Sequence, residues 1–158
     1  MRFRELIDEL AEKAKVDGGI ELDSENRCFM EFEEMGVVIQ GLDEVNLVSF
    51  LSAVGEPPPE RLEELYRALL EANHLFQGTS GATVSLDPED GWVYLCKFVP
   101  YEALDGERLS KELENFANAV AGWRTYIRDF RASDTGGSAD EDDFPGSPFA
   151  SGDSFLRV

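Results

Sequence analysis

Apolar residues at the start of the chain recur with the spacing of an amphipathic helix. The recurring positions, which share one helix face over residues 2–15, are Phe3, Leu6, Ile7, Leu10, Ala11 and Ala14. Gly18 and Gly19 follow and end the pattern. The first element is therefore predicted to be a helix.

A sheet region comes next, because the period changes from helical spacing to alternation. Over residues 27–33, Cys28, Met30 and Phe32 alternate with Phe29 and two glutamates, which is typical of a half-buried strand. Two further apolar segments, 37–42 and 46–54, follow after connections of turn length. These three segments predict an antiparallel meander.

The second half repeats the two periods. Pro57–Pro59 precedes a helical stripe that ends near Asn73, and two strands, 82–86 and 92–99, flank the turn Asp87–Gly91. A last helix over 105–130 carries apolar residues at intervals of three and four. The predicted order is α-β-β-β-α-β-β-α, an α+β fold with helices packed on a twisted antiparallel sheet.

Composition changes after Arg131. Residues 132–158 are rich in Gly, Ser and Asp and include the acidic run Asp140–Asp143, a composition typical of disorder. We therefore predict two parts, a folded domain over 1–131 and an acidic, Gly/Ser-rich disordered tail over 132–158. The tail is expected to be dispensable for folding.

Charge narrows the range of partners. The chain has 33 acidic and 14 basic residues, a net charge of -19 and a pI near 4.2. Such a field repels nucleic acid and anionic lipid surfaces, so we predict neither as a partner. The cysteines Cys28 and Cys96 stand apart in apolar runs, which favours a reducing compartment, and the cytoplasm is the predicted location. No segment is predicted to be a signal peptide or a membrane span.

Catalytic chemistry has little support in the sequence. His74 has no second metal ligand near it, the run Gly78–Gly81 lacks the lysine of a phosphate loop, and Asp87–Gly91 fits a hairpin turn better than a calcium loop. The remaining carboxylates are more typical of a solvated sheet face. We predict no catalytic residue, no metal site and no cofactor, and hence that the protein is not an enzyme; a carboxylate-based enzyme remains a minor alternative.

One segment, Leu69–Leu95, resembles a known family. A helix ending in LLEAN at Asn73 leads through a short connection to a strand-turn-strand unit with the turn DPEDG, and a Trp123-Arg124 pair lies near the end of the last helix. This arrangement is similar to the class I type III secretion chaperones, the Tir-chaperone (CesT-like) family. The resemblance covers about residues 1–131.

The resemblance implies a cytoplasmic bacterial homodimer that binds the N-terminal segment of a secreted effector. The effector would stay soluble, partly extended and ready for secretion, and the secretion ATPase is a further implied partner. The implied dimer interface consists of residues from the second helix and the strand after Gly81: Leu62, Leu65, Tyr66, Leu69, Ala82 and Val84. The implied client surface is the first helix with nearby strands.

The free energies of the two kinds of contact favour apolar side chains, over ion pairs, as the residues that bind the client. A large apolar side chain contributes about 1.5 to 3 kcal/mol on burial, against about 0 to 1 kcal/mol for an exposed ion pair. The predicted client-binding residues are Phe3, Leu6, Leu10, Phe29 and Met30. Two alternatives stay open: some of these residues belong to the core, and the same fold sequesters a secretion regulator instead of escorting an effector.

Overall fold

The computed structural model describes residues 2–133, so the predicted tail lies outside the described residues except for Ala132 and Ser133. Three helices and five strands follow one another in the predicted order. Their bounds are α1 Arg2–Ala14, β1 Arg27–Phe32, β2 Met35–Leu42, β3 Leu47–Gly55, α2 Leu62–Asn73, β4 Thr83–Leu86, β5 Val93–Pro100 and α3 Gly106–Ser133. The predicted α+β fold class is confirmed.

The five strands form one sheet in the order β1-β2-β3-β5-β4, which leaves β1 and β4 at the edges. β1 pairs antiparallel with β2 over six residue pairs, from Arg27 opposite Gln40 to Phe32 opposite Met35. β2 pairs antiparallel with β3. A two-residue connection, Glu33-Glu34, joins β1 to β2, and both residues adopt positive φ (43° and 73°), as a tight hairpin turn of this length requires.

The described chain divides into two compact units. Unit 1 comprises residues 2–52 and 96–118, and unit 2 comprises residues 53–95 and 119–133. The chain passes from one unit to the other within β3, β5 and α3.

The core of unit 1 forms around α1. Phe3 is fully buried, and its ring lies so close to Gly41 of β2 that a Cβ atom there would be 2.5 Å from it. Phe50 and Phe116 pack with their ring centroids 5.6 Å apart. Glu9 accepts a hydrogen bond of 2.6 Å from the backbone N–H of Gly106, which fixes α1 to the start of α3. Phe3, Leu6, Ile7, Leu10 and Ala11 of the amphipathic stripe are therefore core, whereas Ala14 is exposed.

The core of unit 2 is organised by two polar contacts. The indole N–H of Trp123 donates to the carbonyl of Gly78 at 2.9 Å, in a fully buried setting. The Asn73 side chain accepts from the N–H of Val84 at 2.8 Å and donates to the carbonyl of the same residue at 3.0 Å. The amide of Asn73 thus takes the place of a neighbouring strand beside β4.

Candidate functional site

The five predicted client-binding residues separate into two groups. Phe3, Leu6 and Leu10 are buried in the core of unit 1. A core position was the alternative left open for Leu6 and Leu10, whereas Phe3 is buried because its ring lies against Gly41. Phe29 is 64% exposed, and Met30 is half-buried. The accessible part of the predicted set therefore lies on β1.

The outer edge of β1 carries backbone groups that the sheet does not use. Gly41 donates to the carbonyl of Asn26 at 3.0 Å, which makes these two residues a hydrogen-bonded pair of the antiparallel ladder. Because such pairs alternate with pairs that are not bonded, the N–H and C=O groups of Arg27, Phe29 and Glu31 point away from β2. β1 thus presents an outward row of backbone donors and acceptors.

The upstream end of this edge is closed by Asp23. Its backbone N–H donates to the Arg27 carbonyl at 2.8 Å, and its carboxylate accepts from the Arg27 N–H at 3.0 Å and from Arg27 Nε at 2.9 Å. The hydrogen bond from the Arg27 side chain lowers the pKa of Asp23. Within residues 2–133, the outward backbone groups of Phe29 and Glu31 form no hydrogen bond. We call the stretch from Phe29 to Glu31 the open edge.

An apolar row crosses the strands beside the open edge. Phe29 lies opposite Val38 of β2, and Val38 lies opposite Leu51 of β3, which is 38% exposed. All three side chains project from the face opposite the buried residues of their strands. The Phe29 ring rests on Gly36, where a Cβ atom would be 2.6 Å from the ring. The apolar row is defined as Phe29, Val38 and Leu51.

A groove of about 450 Å³ adjoins Phe29 on the side of the chain that precedes β1. Leu22 and Val38 contribute apolar walls, while Glu21, Asp23 and Arg27 contribute charge. Cys28 also lines it, but burial raises the pKa of this thiol to about 11. The thiol is therefore protonated at neutral pH and unsuited to nucleophilic chemistry.

A second exposed apolar cluster lies in unit 2, at and beyond the end of α2. Leu70 is 71% exposed, Leu75 is 66% exposed and Phe76 is 51% exposed. Leu75 and Phe76 adopt positive φ (53° and 56°), which turns the chain after α2. We call these three residues the α2-end cluster; Trp92 and Leu86 are further exposed apolar residues of unit 2.

Most of the predicted dimer-interface residues lie beneath the surface of unit 2. Leu65, Leu69, Ala82 and Val84 are buried in the described chain itself, and Leu62 and Tyr66 are half-buried. The helical stripe is thus the side of α2 that packs into unit 2, and the exposed apolar residues of this region are those of the α2-end cluster. Leu70, one position off the stripe, was the sequence signal for that second face.

Residues 2–133 include no group of three or more His, Cys, Asp or Glu residues placed to hold a metal ion. None of the helices in the described range is long and apolar enough to cross a membrane.

Comparison with known proteins places this architecture. The model of the Tir chaperone protein (CesT) family matches residues 5–124. The chain belongs to this family. The match includes the predicted signature Leu69–Leu95 and reaches Trp123-Arg124, and the contacts of Asn73 with Val84 and of Trp123 with Gly78 join these segments. The predicted resemblance and the function it implies, a type III secretion chaperone for an effector, are confirmed.

Solved structures with the same fold include several chaperone complexes. The ExsC-ExsE complex matches with a TM-score of 0.68 and 20% identity, covering 78% of this chain and 92% of that one. The HopA1-SchA chaperone-effector complex gives 0.66 and 17%, covering 78% and 94%. The Yersinia pestis type III secretion chaperone SycH, in complex with a fragment of YscM2, gives 0.61 and 16%, covering 75% and 97%. No curated protein sequence matches significantly.

Proposed function

We propose that this CesT-family chaperone holds the N-terminal segment of a secreted effector as an added strand along the open edge of β1, with effector side chains on the apolar row. The observation that carries the proposal is the pair of outward backbone positions at Phe29 and Glu31, directly beside an exposed aromatic ring. The segment stays extended and secretion-competent in the bacterial cytoplasm. Holding the effector segment in this way requires no catalysis and no cofactor.

Strand addition combines two kinds of contact, backbone hydrogen bonds and side-chain packing. Backbone hydrogen bonds to the open edge hold any extended segment, whereas side chains at alternate positions select one by fitting apolar hollows. Asp23 closes the upstream end of the edge, so the added strand is short and its register is fixed at Phe29. The groove beside Phe29 then receives one side chain of the effector.

The negative field adds to this selection. A net charge of -19 attracts a basic segment at long range and keeps the complex soluble. Two acidic residues, Glu21 and Glu31, lie at the groove and on the open edge. We therefore expect an effector segment that combines apolar residues with Lys or Arg.

The proposal includes a homodimer formed through unit 2. Leu70 is exposed on α2, whose stripe Leu65 and Leu69 is buried, and Leu75 and Phe76 are exposed just beyond the end of the helix. A surface of this kind becomes buried when it meets its own copy about a two-fold axis, the usual symmetry of a dimer. Docking to the secretion ATPase follows from the family resemblance.

The test starts with the bound polypeptide. The protein is purified from its native bacterium, the associated chain is identified by mass spectrometry, and its N-terminal segment is titrated into the purified chaperone by calorimetry. Phe29→Asp is expected to weaken binding about tenfold or more, because an aromatic contact is replaced by a charge. Val45→Asp is the matched control, since Val45 is 60% exposed in unit 1 but lies outside the apolar row.

Equal affinities of the two variants would place the effector elsewhere. The co-purified chain also decides between the two functions. A secreted effector supports the proposal, and a polypeptide that controls transcription of secretion genes favours the regulatory alternative.

A further inference from the structure

The open edge and the apolar row lack a cover in the part of the chain that the structure describes. Phe29 and Leu51 are exposed, and the outward backbone groups of Phe29 and Glu31 form no hydrogen bond within that part of the chain. Such an edge is a template for pairing with any other strand, including the edges of other copies. A segment of the same chain that covered this edge before the effector binds would prevent such pairing.

The sequence outside the described range contains a segment suited to that place. Residues 134–158 are rich in Gly, Ser, Pro and Asp, but Ser154–Val158 reads Ser-Phe-Leu-Arg-Val, without Gly or Pro and with three apolar residues. The other stretch of at least five residues free of Gly and Pro, 138–144, contains four consecutive acidic residues. Arg157 is the only basic residue after Arg131. Ser154–Val158 is thus the part of this region with the composition of a strand.

Its pattern also matches the exposed face of β1. In an extended segment, Phe155 and Arg157 share one face, as Phe29 and Glu31 do on β1. Laid alongside in parallel, Phe155 meets Phe29 and Arg157 meets Glu31, which joins an aromatic pair to an ion pair. Leu156 and Val158 then lie on the other face, beside the half-buried Met30.

The connection is long enough. About 20 residues separate Ser133 from Ser154, and an extended segment of this length spans about 70 Å, more than the roughly 30 Å diameter of a small domain. A tether of this kind gives an effective concentration in the millimolar range, so even a weak contact is populated. Reach therefore permits docking on any face of the domain.

We propose that Ser154–Val158 docks as a strand on the open edge of its own chain when no effector is bound, and that the effector segment displaces it. The occupant shields the apolar row in the free chaperone and acts as an internal competitor during loading. This inference rests on the proposed effector surface, and its test uses the chaperone without effector.

The test is amide hydrogen exchange, followed by NMR on the full chain. In the wild type, the Phe29 and Glu31 amides are expected to exchange at least about tenfold more slowly than in the triple variant Phe155→Ser/Leu156→Ser/Val158→Ser. The matched control, Phe144→Ser/Phe149→Ser, removes aromatic rings from the same region and should keep the wild-type protection.

Equal exchange rates in the wild type and the triple variant would overturn the proposal. Protection that rises with protein concentration would also overturn it, because the occupant would then come from a second copy. A charge exchange sharpens the register: Glu31→Arg and Arg157→Glu should each reduce protection a few-fold, and the double variant should restore it. Failure of the restoration would overturn the parallel register.

A second measurement separates this inference from the proposed function. The triple variant should bind the effector segment a few-fold more tightly than the wild type, since a competitor has been removed. Unchanged affinity would count against competition, whereas loss of effector binding in Phe29→Asp is decided independently of residues 154–158.

Discussion

The two edge strands of the sheet differ in how their outward backbone groups are hydrogen-bonded. At β4, the side chain of Asn73 both accepts from and donates to the backbone of Val84, so the outward groups of that residue are satisfied from within unit 2. At β1, Asp23 satisfies Arg27 in the same way, but Phe29 and Glu31 lie beyond its reach. The β4 edge is closed at Val84 by a residue of the family signature, whereas the β1 edge remains available at Phe29 and Glu31.

Under the proposed function, this contrast assigns separate tasks to the two apolar surfaces. The open edge offers backbone hydrogen bonds together with the apolar row, which suits an extended segment of varied sequence. The α2-end cluster offers apolar side chains at and just beyond the end of α2, which suits a self-complementary surface. Under the proposed function, substitutions at the open edge should weaken effector binding and leave the dimer intact, whereas substitutions in the α2-end cluster should weaken the dimer.

The largest effect is expected from the α2-end cluster. Leu75→Asp/Phe76→Asp should raise the dimer dissociation constant about a hundredfold or more, because each large apolar side chain contributes about 1.5 to 3 kcal/mol on burial and the two-fold axis uses it twice. Sedimentation equilibrium measures the constant. Phe29→Asp provides the reciprocal control and should remain dimeric; a variant Phe29→Asp that is also monomeric would erase the distinction between the two surfaces.

Asn73→Ala addresses the closed edge and should have an intermediate effect. It removes two hydrogen bonds and leaves the Val84 backbone without its partner, at a cost of about 1 to 3 kcal/mol of unfolding free energy. Urea denaturation gives the value, and exchange of the Val84 amide should accelerate. Asn73→Asp, which keeps the acceptor for the Val84 N–H but loses the donor, should restore part of that protection. An unchanged Val84 exchange rate in Asn73→Ala would show that Asn73 does not close β4.

The sequence could predict the elements because their periods are local. Alternation along β1 put Phe29 on the face opposite Cys28, and the exposure of Phe29 agrees with it. Burial of Phe3 was not predictable, since it depends on Gly41, a residue distant in sequence whose missing side chain admits the ring. The extent of an open edge likewise depends on strand order and on Asp23, neither of which has a periodic signal.

The α2-end cluster was only partly predictable for a different reason. Leu70 is marked by its position off the helical stripe, but Leu75 and Phe76 follow the last residue of α2, where apolar residues would ordinarily turn inward. Their left-handed backbone directs them outward instead. Such conformations are uncommon for residues other than glycine, so a sequence pattern gives little warning of them.

The smallest effect concerns the boundary between the closed and open parts of β1. The pKa of Asp23 is lowered from its ordinary value of 3.8, mainly by the hydrogen bond from Arg27, so the contact contributes stability above that value and loses it as pH falls through the lower, folded pKa. The Arg27 amide, which donates to the Asp23 carboxylate, should therefore lose exchange protection only below about pH 4. NMR measures both quantities on the same sample, from carboxyl chemical shifts and from amide exchange. The pH runs from roughly 2 to roughly 6, a range that brackets carboxyl titration. Asp23→Asn should lack this pH dependence and leave the Phe29 amide unchanged. Loss of Phe29 protection in that variant would mean that Asp23 organises the open edge as well as ending it.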